Sequence, residues 1–471
     1  MELEDIRSLT VLGLSRSGRP AALLARRRLP AARIVGLDEG AELSAEALVS
    51  LASAGVTVYL GPEAVLPDGV DVLVKSPGVP DSSPVVQEAL RRGVALWSEV
   101  EFAARFLPNR IVGITGTNGK TTTTELTGAI LRDAGLPVAV GGNIGNALAE
   151  MPGVLPPETT IVAELSSFQL EHIERFRAHV AVLLNLTEDH LDRHGSYRAY
   201  VDAKLRIFAN QTGDDLALLN ADDPSTLDEL PSLLAPGAGR HAWFSARRGY
   251  VAHGLAAGVG DDEMLWLEHC GEHVVLCHSS ELALKGLHNL QNSLAAAAAA
   301  AAAGAPTAAV TETLRTFEGV PHRLQVAGIV DGVTYINDSK ATNVDATLKA
   351  LTAYSGAVHL ILGGYDKGAS YEDLAAATEG LVKEVLLIGA TAPQLAEAFA
   401  ARRAAKGPAA TAFVVCGNLE AALAVASKAA TVGDVVMLSP ACASWDQYRD
   451  YIARGEHFLQ VVDEMRGAGT G

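Results

Sequence analysis

The sequence has few cysteines, a deficit of positive charge and no long apolar run. Its 471 residues include four cysteines, and 37 basic residues stand against 55 acidic ones, which gives a net charge of −18. This charge argues against nucleic acid or an anionic membrane as a partner, because both require a basic face. The alanine run 295–303 is too short and too weakly hydrophobic to cross a bilayer. We therefore expect a cytoplasmic protein with no nucleic-acid partner and no membrane insertion.

The cysteines show no metal-binding spacing. Cys270 and Cys277 flank His273 and precede His278, which raises the possibility of a zinc site. A structural zinc site would need a second paired cluster, and the chain has none. Two cysteines in strands are the favoured interpretation.

The composition is that of an ordinary globular protein of several domains. Hydrophobic residues make up 49% and charged residues 20%, and this length corresponds to about three domains. We predict an α/β fold with a Rossmann-like N-terminal domain (1–98), a central P-loop domain (99–319) and a Rossmann-like C-terminal domain (320–471). Short strands with Gly-rich turns predict added β structure in the central domain, from Asp214 to about His278.

A glycine-rich segment, residues 113–122, is the strongest functional signal. The apolar run Ile111–Ile114 precedes it and a helix-compatible stretch, Thr121–Ala134, follows, which is the setting that a phosphate-binding loop requires. Lys120 would reach the phosphates and the Thr121 hydroxyl would hold Mg²⁺. The usual spacing places a glycine at 114, where this chain has isoleucine. A glycine-rich turn with an exposed lysine is the structural alternative; we favour a nucleotide triphosphate site.

Polar side chains follow two apolar strands of the central domain. Thr160–Ala163 ends at Glu164, and Val180–Leu184 leads to His190. The carboxyl ends of parallel strands gather at one edge of a sheet, so both residues should lie in the same crevice as Lys120. Glu164 is a predicted metal ligand. Lys204 lies on an amphipathic helix, and periodicity alone predicts that it is solvated.

The first domain opens with a modified dinucleotide-binding pattern. A strand, Ser8–Gly13, is followed by Gly13-x-Ser15-x-x-Gly18, and Asp38 stands where a ribose-binding acid is expected. Taken alone, this segment establishes only an α/β domain with a possible nucleotide crevice. The third domain again predicts a parallel sheet, with polar loops after the strands Val333–Ile336, His359–Leu362 and Asp434–Leu438.

The chain resembles the Mur ligases of peptidoglycan synthesis over nearly its whole length. The motifs that carry this resemblance are GITGTNGKTT, GGNIG, ELSSFQL, NLTEDHLDRH, AKLRIF, HNLQN, PHR, NDSKATN, GGYDKG and SPACASWDQY. NDSKATN followed by SPACAS is more particular to the member that adds D-glutamate. The resemblance implies ATP and two Mg²⁺ ions as cofactors, an acyl-phosphate intermediate, and UDP-N-acetylmuramoyl-L-alanine and D-glutamate as substrates. We also expect a monomer.

The resemblance also implies roles for individual residues. Catalytic residues are Lys120, Lys204, His190 and Lys340. Nucleotide-binding residues are Gly116, Thr117, Asn118, Gly119, Lys120, Thr121 and Thr122, with Asn289 and Asn292 at the adenine and Arg323 and Asp338 at the ribose–phosphate side. Metal ligands are Thr121, Glu164, His190 and Lys204, the last as a carbamate. Substrate-binding residues are Ser15, Arg16, Ser17, Asp38, Ser76, Gly78, Asn143, Thr342, Lys367, Ser444 and Tyr451.

The N-terminal pocket departs from the family pattern. The acid at Asp38 is kept, but Glu39 and Gly40 stand where small polar and basic residues are usual. Within the class, a Mur-type ligase for another amino acid and a folylpolyglutamate-type ligase are the alternatives. From other classes, the alternatives are a GTPase-like switch and a catalytically inactive homologue. The chain has nothing that resembles a guanine-specificity loop. An inactive homologue would not be expected to keep Lys120, Glu164, His190, Lys204 and Lys367 together.

Overall fold

The computed structural model describes residues 1–40, 43–229, 240–250, 254–269, 271–352, 354, 357–365 and 370–468. The chain forms two compact units: one comprises Met1–Leu284 and His288–Phe317, the other Lys285–Leu287 and Glu318–Gly471. In the described residues the strands form three sheets, of which two lie in the first unit and one in the second. The predicted α/β fold class is confirmed.

The first sheet is entirely parallel and has the strand order β3-β2-β1-β4-β5, the order of a Rossmann half with two further strands. Its strands are β1 (Ser8–Leu12), β2 (Arg33–Asp38), β3 (Thr57–Leu60), β4 (Val72–Lys75) and β5 (Ala95–Ser98). The helices of this region are α1 (Gly18–Arg28), α2 (Ala45–Ser53), α3 (Pro84–Arg92) and α4 (Glu99–Ala104).

The turn between β1 and α1 explains the modified glycine pattern. A Cβ atom on Gly18 would collide with the Gly13 carbonyl oxygen. That same oxygen accepts a hydrogen bond from Ser76 Oγ at 2.6 Å. Glycine is therefore required at position 18, whereas Ser15 is exposed and its side chain is accommodated in the turn.

The second sheet has the order β14-β13-β12-β11-β10-β9-β6-β8-β7. It carries the glycine-rich segment 113–122, which we call the phosphate loop after its predicted role. Its strands are β6 (Ile111–Thr115), β7 (Val138–Gly142), β8 (Thr160–Glu164), β9 (Val180–Leu183), β10 (Leu216–Asn220), β11 (Arg240–Arg248), β12 (Leu255–Val259), β13 (Met264–His269) and β14 (Glu272–His278). The helices are α5 (Lys120–Asp133), α6 (Ser167–Leu170), α7 (Leu191–His194), α8 (Tyr197–Leu205), α9 (Pro224–Asp228), α10 (Leu287–Ala302) and α11 (Thr307–Thr316).

The predicted β structure is present in the described residues, and it lies at one side of this sheet. Strand β13 pairs antiparallel with β12 and with β14, whereas the remaining pairs of the sheet are parallel. Cys277 is a buried residue of β14 with a free thiol, which agrees with a cysteine in a strand. Cys270 lies outside the described residues.

The alanine run is a buried helix. In α10, residues Ala295–Ala301 are between 0% and 8% exposed. They share one hydrophobic cluster with Val112 and Ile114 of β6 and with Leu126 of α5. Among the described residues, no helix is long and apolar enough to span a membrane.

The third sheet has the order β15-β16-β20-β17-β18-β19. Its strands are β15 (Gln325–Val330), β16 (Val333–Asn337), β17 (Val358–Gly363), β18 (Val382–Ile388), β19 (Ala412–Gly417) and β20 (Val435–Leu438). The helices of this unit are α12 (Val344–Leu351), α13 (Glu372–Ala377), α14 (Ala392–Lys406), α15 (Leu419–Ala429) and α16 (Tyr451–Ala468).

The third sheet is parallel, as predicted, except at its first strand. Strand β15 pairs antiparallel with β16. The two strands are joined by Asp331 and Gly332, whose φ values are +50° and +78°. A two-residue connection with positive φ at both positions can join only antiparallel neighbours.

Candidate active site

The phosphate loop lies between β6 and α5, as the sequence predicts. Gly116 has φ +147° and Gly119 has φ +84°, conformations that L side chains rarely adopt. A Cβ atom on Gly119 would collide with Asn292 Oδ1. Thr121 and Thr122 are buried at the start of α5, so the N-terminus of a fourteen-residue helix faces the loop and can attract an anion.

Two lysines converge on one carbonyl oxygen of this loop. Lys120 Nζ donates to Gly116 O at 2.9 Å and to Thr117 O at 2.8 Å. Lys204 Nζ donates to the same Gly116 O at 2.7 Å. Two ammonium groups this close repel each other, so the arrangement favours a neutral amine at one of them.

Of the two lysines, Lys204 is the one whose burial disfavours the charged form. Burial, with the nearby Lys120 charge, holds the pKa of Lys204 well below its usual range, against the opposite effects of Asp189 and Glu164. The residue is 2% exposed, and its Nζ lies 4.7 Å from the centre of the Tyr200 ring. The expectation of a solvated lysine is therefore wrong: this face of α8 packs inward against a loop 88 residues away in the chain.

Glu164 ends β8 beside the phosphate loop, where it pairs with Ile114 of β6. Its carboxylate is buried. Oε1 accepts a hydrogen bond from Asn143 Nδ2 at 2.7 Å, whereas Oε2 is buried with no hydrogen-bond partner. A buried carboxylate oxygen without a donor is an anionic site that fits a cation.

His190 belongs to the loop between β9 and α7. It has φ +53° and its ring lies 4.9 Å from the Phe168 ring, edge to face. The loop is tied to the phosphate loop by Thr117, whose Oγ1 accepts from Thr187 N at 3.0 Å. Asn118 N donates to Asn185 Oδ1 at 2.9 Å in the same region. The predicted convergence of Glu164 and the His190 loop on the phosphate loop is thus present.

The two predicted adenine ligands lie next to the phosphate loop. Asn289 and Asn292 are buried in the first turns of α10. Asn292 Nδ2 donates to Asn289 Oδ1 at 3.2 Å, and Thr123 Oγ1 donates to Asn292 Oδ1 at 3.4 Å. These bonds fix the orientation of both amides.

The predicted uridine pocket collects at the carboxyl ends of β1, β2 and β4. Asp38 Oδ2 accepts from Leu14 N at 2.7 Å and Oδ1 accepts from Gly40 N at 2.9 Å. The carboxylate therefore shapes two loops of the pocket. Ser17 Oγ lies 3.5 Å from Ser76 Oγ.

The remaining members of the uridine set are at the surface. Ser15, Arg16 and Gly78 are exposed. Arg16 donates to Gly145 O at 2.9 Å, which connects this pocket to the loop after β7. Glu39, one of the departures from the family pattern, accepts from Ser83 Oγ at 2.7 Å.

In the second unit, the predicted nucleotide ligand Asp338 is buried and the predicted ligand Arg323 is half-buried. Asp338 accepts from Ser439 Oγ at 2.7 Å and from Leu324 N at 3.2 Å. Burial raises the pKa of Asp338 to about 6, although Arg323 and these hydrogen bonds oppose the rise. Arg323 Nε is buried and has no hydrogen-bond partner, so it keeps a donor for an anion.

The predicted amino-acid site lies around the loops after β16 and β20. Lys340 Nζ is 5.6 Å from the centre of the Tyr451 ring. Thr342 N donates to Lys340 O at 2.9 Å, and Ser444 is buried. Lys367 lies outside the described residues, so its contact with the substrate stays a prediction.

Sequence reasoning missed Arg454 of α16. Its buried guanidinium donates to Ser339 O at 2.9 Å, to Cys442 O at 3.1 Å and to Ala443 O at 3.3 Å. Burial lowers its pKa to about 10. It thereby joins the loop that carries Lys340 to the loop that carries Ser444. The only sequence signal was a single arginine three residues after Tyr451, which is indistinguishable from a solvated one.

The fold and this site define a class of nucleotide-dependent ligase. The family model described as the Mur ligase middle domain matches residues 114–300, and that of the Mur ligase glutamate ligase domain matches residues 322–442. The chain belongs to the Mur ligase family.

Curated relatives match over the full length. The UDP-N-acetylmuramoylalanine–D-glutamate ligase of Acidobacterium capsulatum is 42% identical and the match covers 100% of this chain and 99% of the relative. The enzyme of the same name from Pelotomaculum thermopropionicum is 41% identical, with 98% of each chain covered. Among solved structures, the UDP-N-acetylmuramate–alanine ligase of Thermotoga maritima matches with a TM-score of 0.56 at 20% identity, over 97% of this chain and 99% of that one, a likeness of fold.

Proposed function

We propose that the protein is an ATP-dependent ligase that adds D-glutamate to UDP-N-acetylmuramoyl-L-alanine in peptidoglycan synthesis. The observation that carries this is the pair of lysines on Gly116 O beside Glu164, whose second carboxylate oxygen has no partner. The full-length similarity to two D-glutamate ligases supports the choice of amino acid.

The reaction must overcome repulsion between anions. The alanyl carboxylate attacks the γ-phosphorus of ATP, the bond to the β-phosphate oxygen breaks and ADP leaves. The amine of D-glutamate then attacks the acyl carbon, phosphate leaves, and the amine loses a proton. One pair of unit charges 4 Å apart costs about 4 kcal/mol at an effective dielectric of 20. Lys120, on the loop that would hold the phosphates, offsets part of this cost.

Two Mg²⁺ ions fit the residues around the loop. Thr121, Glu164, His190 and Lys204 would hold them, and the unpaired Oε2 of Glu164 is a ligand atom of the right chemistry. Bound there, the ions would neutralise phosphate charge in the transition state. Asn143 fixes the rotamer of Glu164 through Oε1, so Oε2 stays directed away from that bond.

Lys204 serves this site as a carbamate. Its neutral amine attacks carbon dioxide, an N–C bond forms, and a proton is released. The product is an anion where an ammonium would repel a cation. The lowered pKa of Lys204 supports this, because an amine must be deprotonated to react.

The remaining residues bind the substrates. Adenine lies at Asn289 and Asn292, and the ribose–phosphate at Arg323 and Asp338. D-glutamate binds through the following residues near the third sheet: Lys340, Thr342, Lys367, Ser444 and Tyr451. The muramoyl nucleotide binds through Asn143 and the pocket formed by Ser15, Arg16, Ser17, Asp38, Ser76 and Gly78.

Each proposed domain binds one of the three substrates. Residues 1–98 bind the UDP substrate, 99–319 bind ATP, and 320–471 bind the amino acid. The protein acts in the cytoplasm as a monomer.

The test is phosphate release from ATP with UDP-N-acetylmuramoyl-L-alanine and a panel of amino acids. We expect release with D-glutamate and little with L-glutamate, D-glutamine, L-lysine or meso-diaminopimelate. UDP-N-acetylmuramate, which lacks the alanyl group, is the matched control acceptor. Release with a neutral or basic amino acid, or with a reduced folate and L-glutamate, would contradict the proposal.

A further inference from the structure

A cluster of charged side chains around one buried lysine lies outside the residues assigned so far. Lys75, the last residue of β4, is 1% exposed. Its ammonium contacts Asp81 Oδ1 and lies 3.2 Å from Glu171 Oε2. Asp81 belongs to the first-sheet region, whereas Glu171 directly follows α6 of the second-sheet region. The lysine therefore bridges two parts of the first unit.

Two histidines extend the cluster on either side. His172 Nε2 lies 2.9 Å from Asp81 Oδ2. His194 Nδ1 lies 3.4 Å from Glu171 Oε1, and its Nε2 lies 2.9 Å from Ser167 Oγ. Burial opposes a low pKa for Asp81, but hydrogen bonds from His172 and Lys75 outweigh it and lower that pKa. We call the five residues Lys75, Asp81, Glu171, His172 and His194 the ion cluster.

A separate contact connects the same two regions. Arg193 of α7 donates through Nη2 to Val79 O at 2.8 Å. Its guanidinium carbon lies 3.7 Å from the centre of the Phe168 ring. The loop after β4, residues 76–81, is thus held at two points by side chains of the second-sheet region. We call it the β4 loop.

Both sides of these contacts adjoin proposed site residues. On one side, Lys75 precedes Ser76, and the β4 loop contains Gly78. On the other side, α6 follows the strand that ends at Glu164, and α7 begins directly after His190. A displacement of the β4 loop would therefore change the position of the UDP pocket relative to the residues proposed to act on the phosphoryl group.

We propose that the ion cluster is a positioning device, in which Lys75 holds the β4 loop and the UDP end of the muramoyl substrate in register with the phosphoryl-transfer residues. This rests on the proposed function. The ion cluster does not touch the reacting atoms, so its members are positioning residues. Their contribution is geometric: a misplacement of about 1 Å far from the chemistry can cost about a hundredfold in rate.

Two simpler roles fit less well. Asp81, Glu171 and His172 are close enough together to hold a metal ion among the described residues, but the Lys75 ammonium already supplies the positive charge between the two carboxylates. A purely stabilising role is also a poor explanation, because buried ion pairs are often no more stabilising than apolar residues of similar volume. Apolar residues in place of the ion cluster would not fix one position of the β4 loop relative to the second-sheet region.

The experiment compares Lys75→Met and Glu171→Gln with the wild type by steady-state kinetics. We expect each variant to raise the KM for UDP-N-acetylmuramoyl-L-alanine and to lower kcat, each on the order of tenfold. The KM for ATP should stay within about twofold, because the phosphate loop keeps its own contacts. The double variant should lose little more than either single variant, since both remove the same link.

Arg177→Met is the matched control. Arg177 also pairs with a largely buried carboxylate, that of Asp215, through bonds of 2.7 and 2.9 Å. It lies outside the proposed substrate and metal sites. This variant should lower the thermal unfolding midpoint and leave both KM values unchanged.

Each outcome decides the question. Unchanged kinetics in a folded Lys75→Met enzyme would overturn the positioning role, and so would equal rises in the KM values for ATP and for the muramoyl substrate. If Lys75→Met does not fold, Glu171→Gln decides alone; if neither folds, the ion cluster is structural and the inference is wrong. A wild type that releases no phosphate with these substrates would overturn the proposed function, and the positioning role with it.

Discussion

Lys120 is the single residue whose charge lies within the phosphate loop itself, through its bonds to Gly116 O and Thr117 O. We expect Lys120→Ala to fold normally and to lose about 10²–10³ in kcat, the usual effect of removing one electrostatic stabiliser from a transition state. Stopped or continuous phosphate-release assays measure this directly.

Lys383→Ala is the control for that variant. Lys383 donates to Asp434 at 2.7 Å in the third sheet, away from the proposed site residues. It should keep normal turnover. Near-normal turnover in Lys120→Ala would remove the phosphate loop from the proposed site.

Variants of Lys204 distinguish a buried cation from a carbamate at this position. Lys204→Ala should be nearly inactive, and a small added carboxylate such as formate should restore part of the activity. Lys204→Arg should stay inactive, because it keeps a positive charge that a cation would meet with repulsion. The measurement is turnover with and without formate. An active Lys204→Arg enzyme would exclude the carbamate.

At the scale of elements, the strands that end at the predicted site were readable from the sequence. Buried parallel strands appear as continuous apolar runs, so β6, β8 and β9 and the polar residues after them were predicted nearly to the residue. The burial of Lys204 was not readable, because it depends on a contact between α8 and the phosphate loop rather than on the pattern of α8. The edge strand β15 was not predicted, because the two-residue turn that joins it to β16 was not identified.

The start of α1 gives a prediction at the same scale. Gly18 approaches the Gly13 carbonyl so closely that a methyl group cannot be accommodated without moving the β1–α1 turn. Gly18→Ala should lower the free energy of unfolding by about 1–3 kcal/mol, as overpacking does. It should also raise the KM for the UDP substrate more than that for ATP.

Gly69→Ala is the comparison for this measurement. A Cβ on Gly69 would project into open space, with no atom within 4 Å, but the residue has φ +69°. The variant should therefore show only the cost of backbone conformation, with no change in either KM. Equal effects of the two variants on the UDP substrate would contradict the steric explanation.

At the scale of the whole molecule, stability should depend on pH through Glu99. Its carboxyl group is buried at the start of α4, Oε1 accepts from Ala149 N at 2.8 Å, and burial raises the pKa of Glu99 to about 7. The folded state therefore favours the protonated form. This stability is complete below the unfolded pKa, near 4.3, and is lost as the pH rises through about 7.

Glu99→Gln removes this dependence. Relative to the wild type, the variant should gain stability between pH 5 and pH 8, by a free energy of unfolding of about 3 kcal/mol at most. Urea unfolding at several pH values measures the gain. Glu46→Gln, at an exposed position in the first turn of α2, should show no comparable trend. A gain independent of pH would contradict the assigned titration.

The alanine helix α10 is held at a fixed position relative to β6. Burying alanine costs no side-chain conformational entropy, since alanine has no rotamers to lose. The segment Ala295–Ala301 therefore has no alternative side-chain packings through which α10 could shift against β6. Asn292, at the other end of the same helix, lies against Gly119 of the phosphate loop. The spacing between the phosphate loop and the first turns of α10, which carry the proposed adenine ligands, is thus set by the packing of backbone and alanine, with no side-chain rearrangement that could change it.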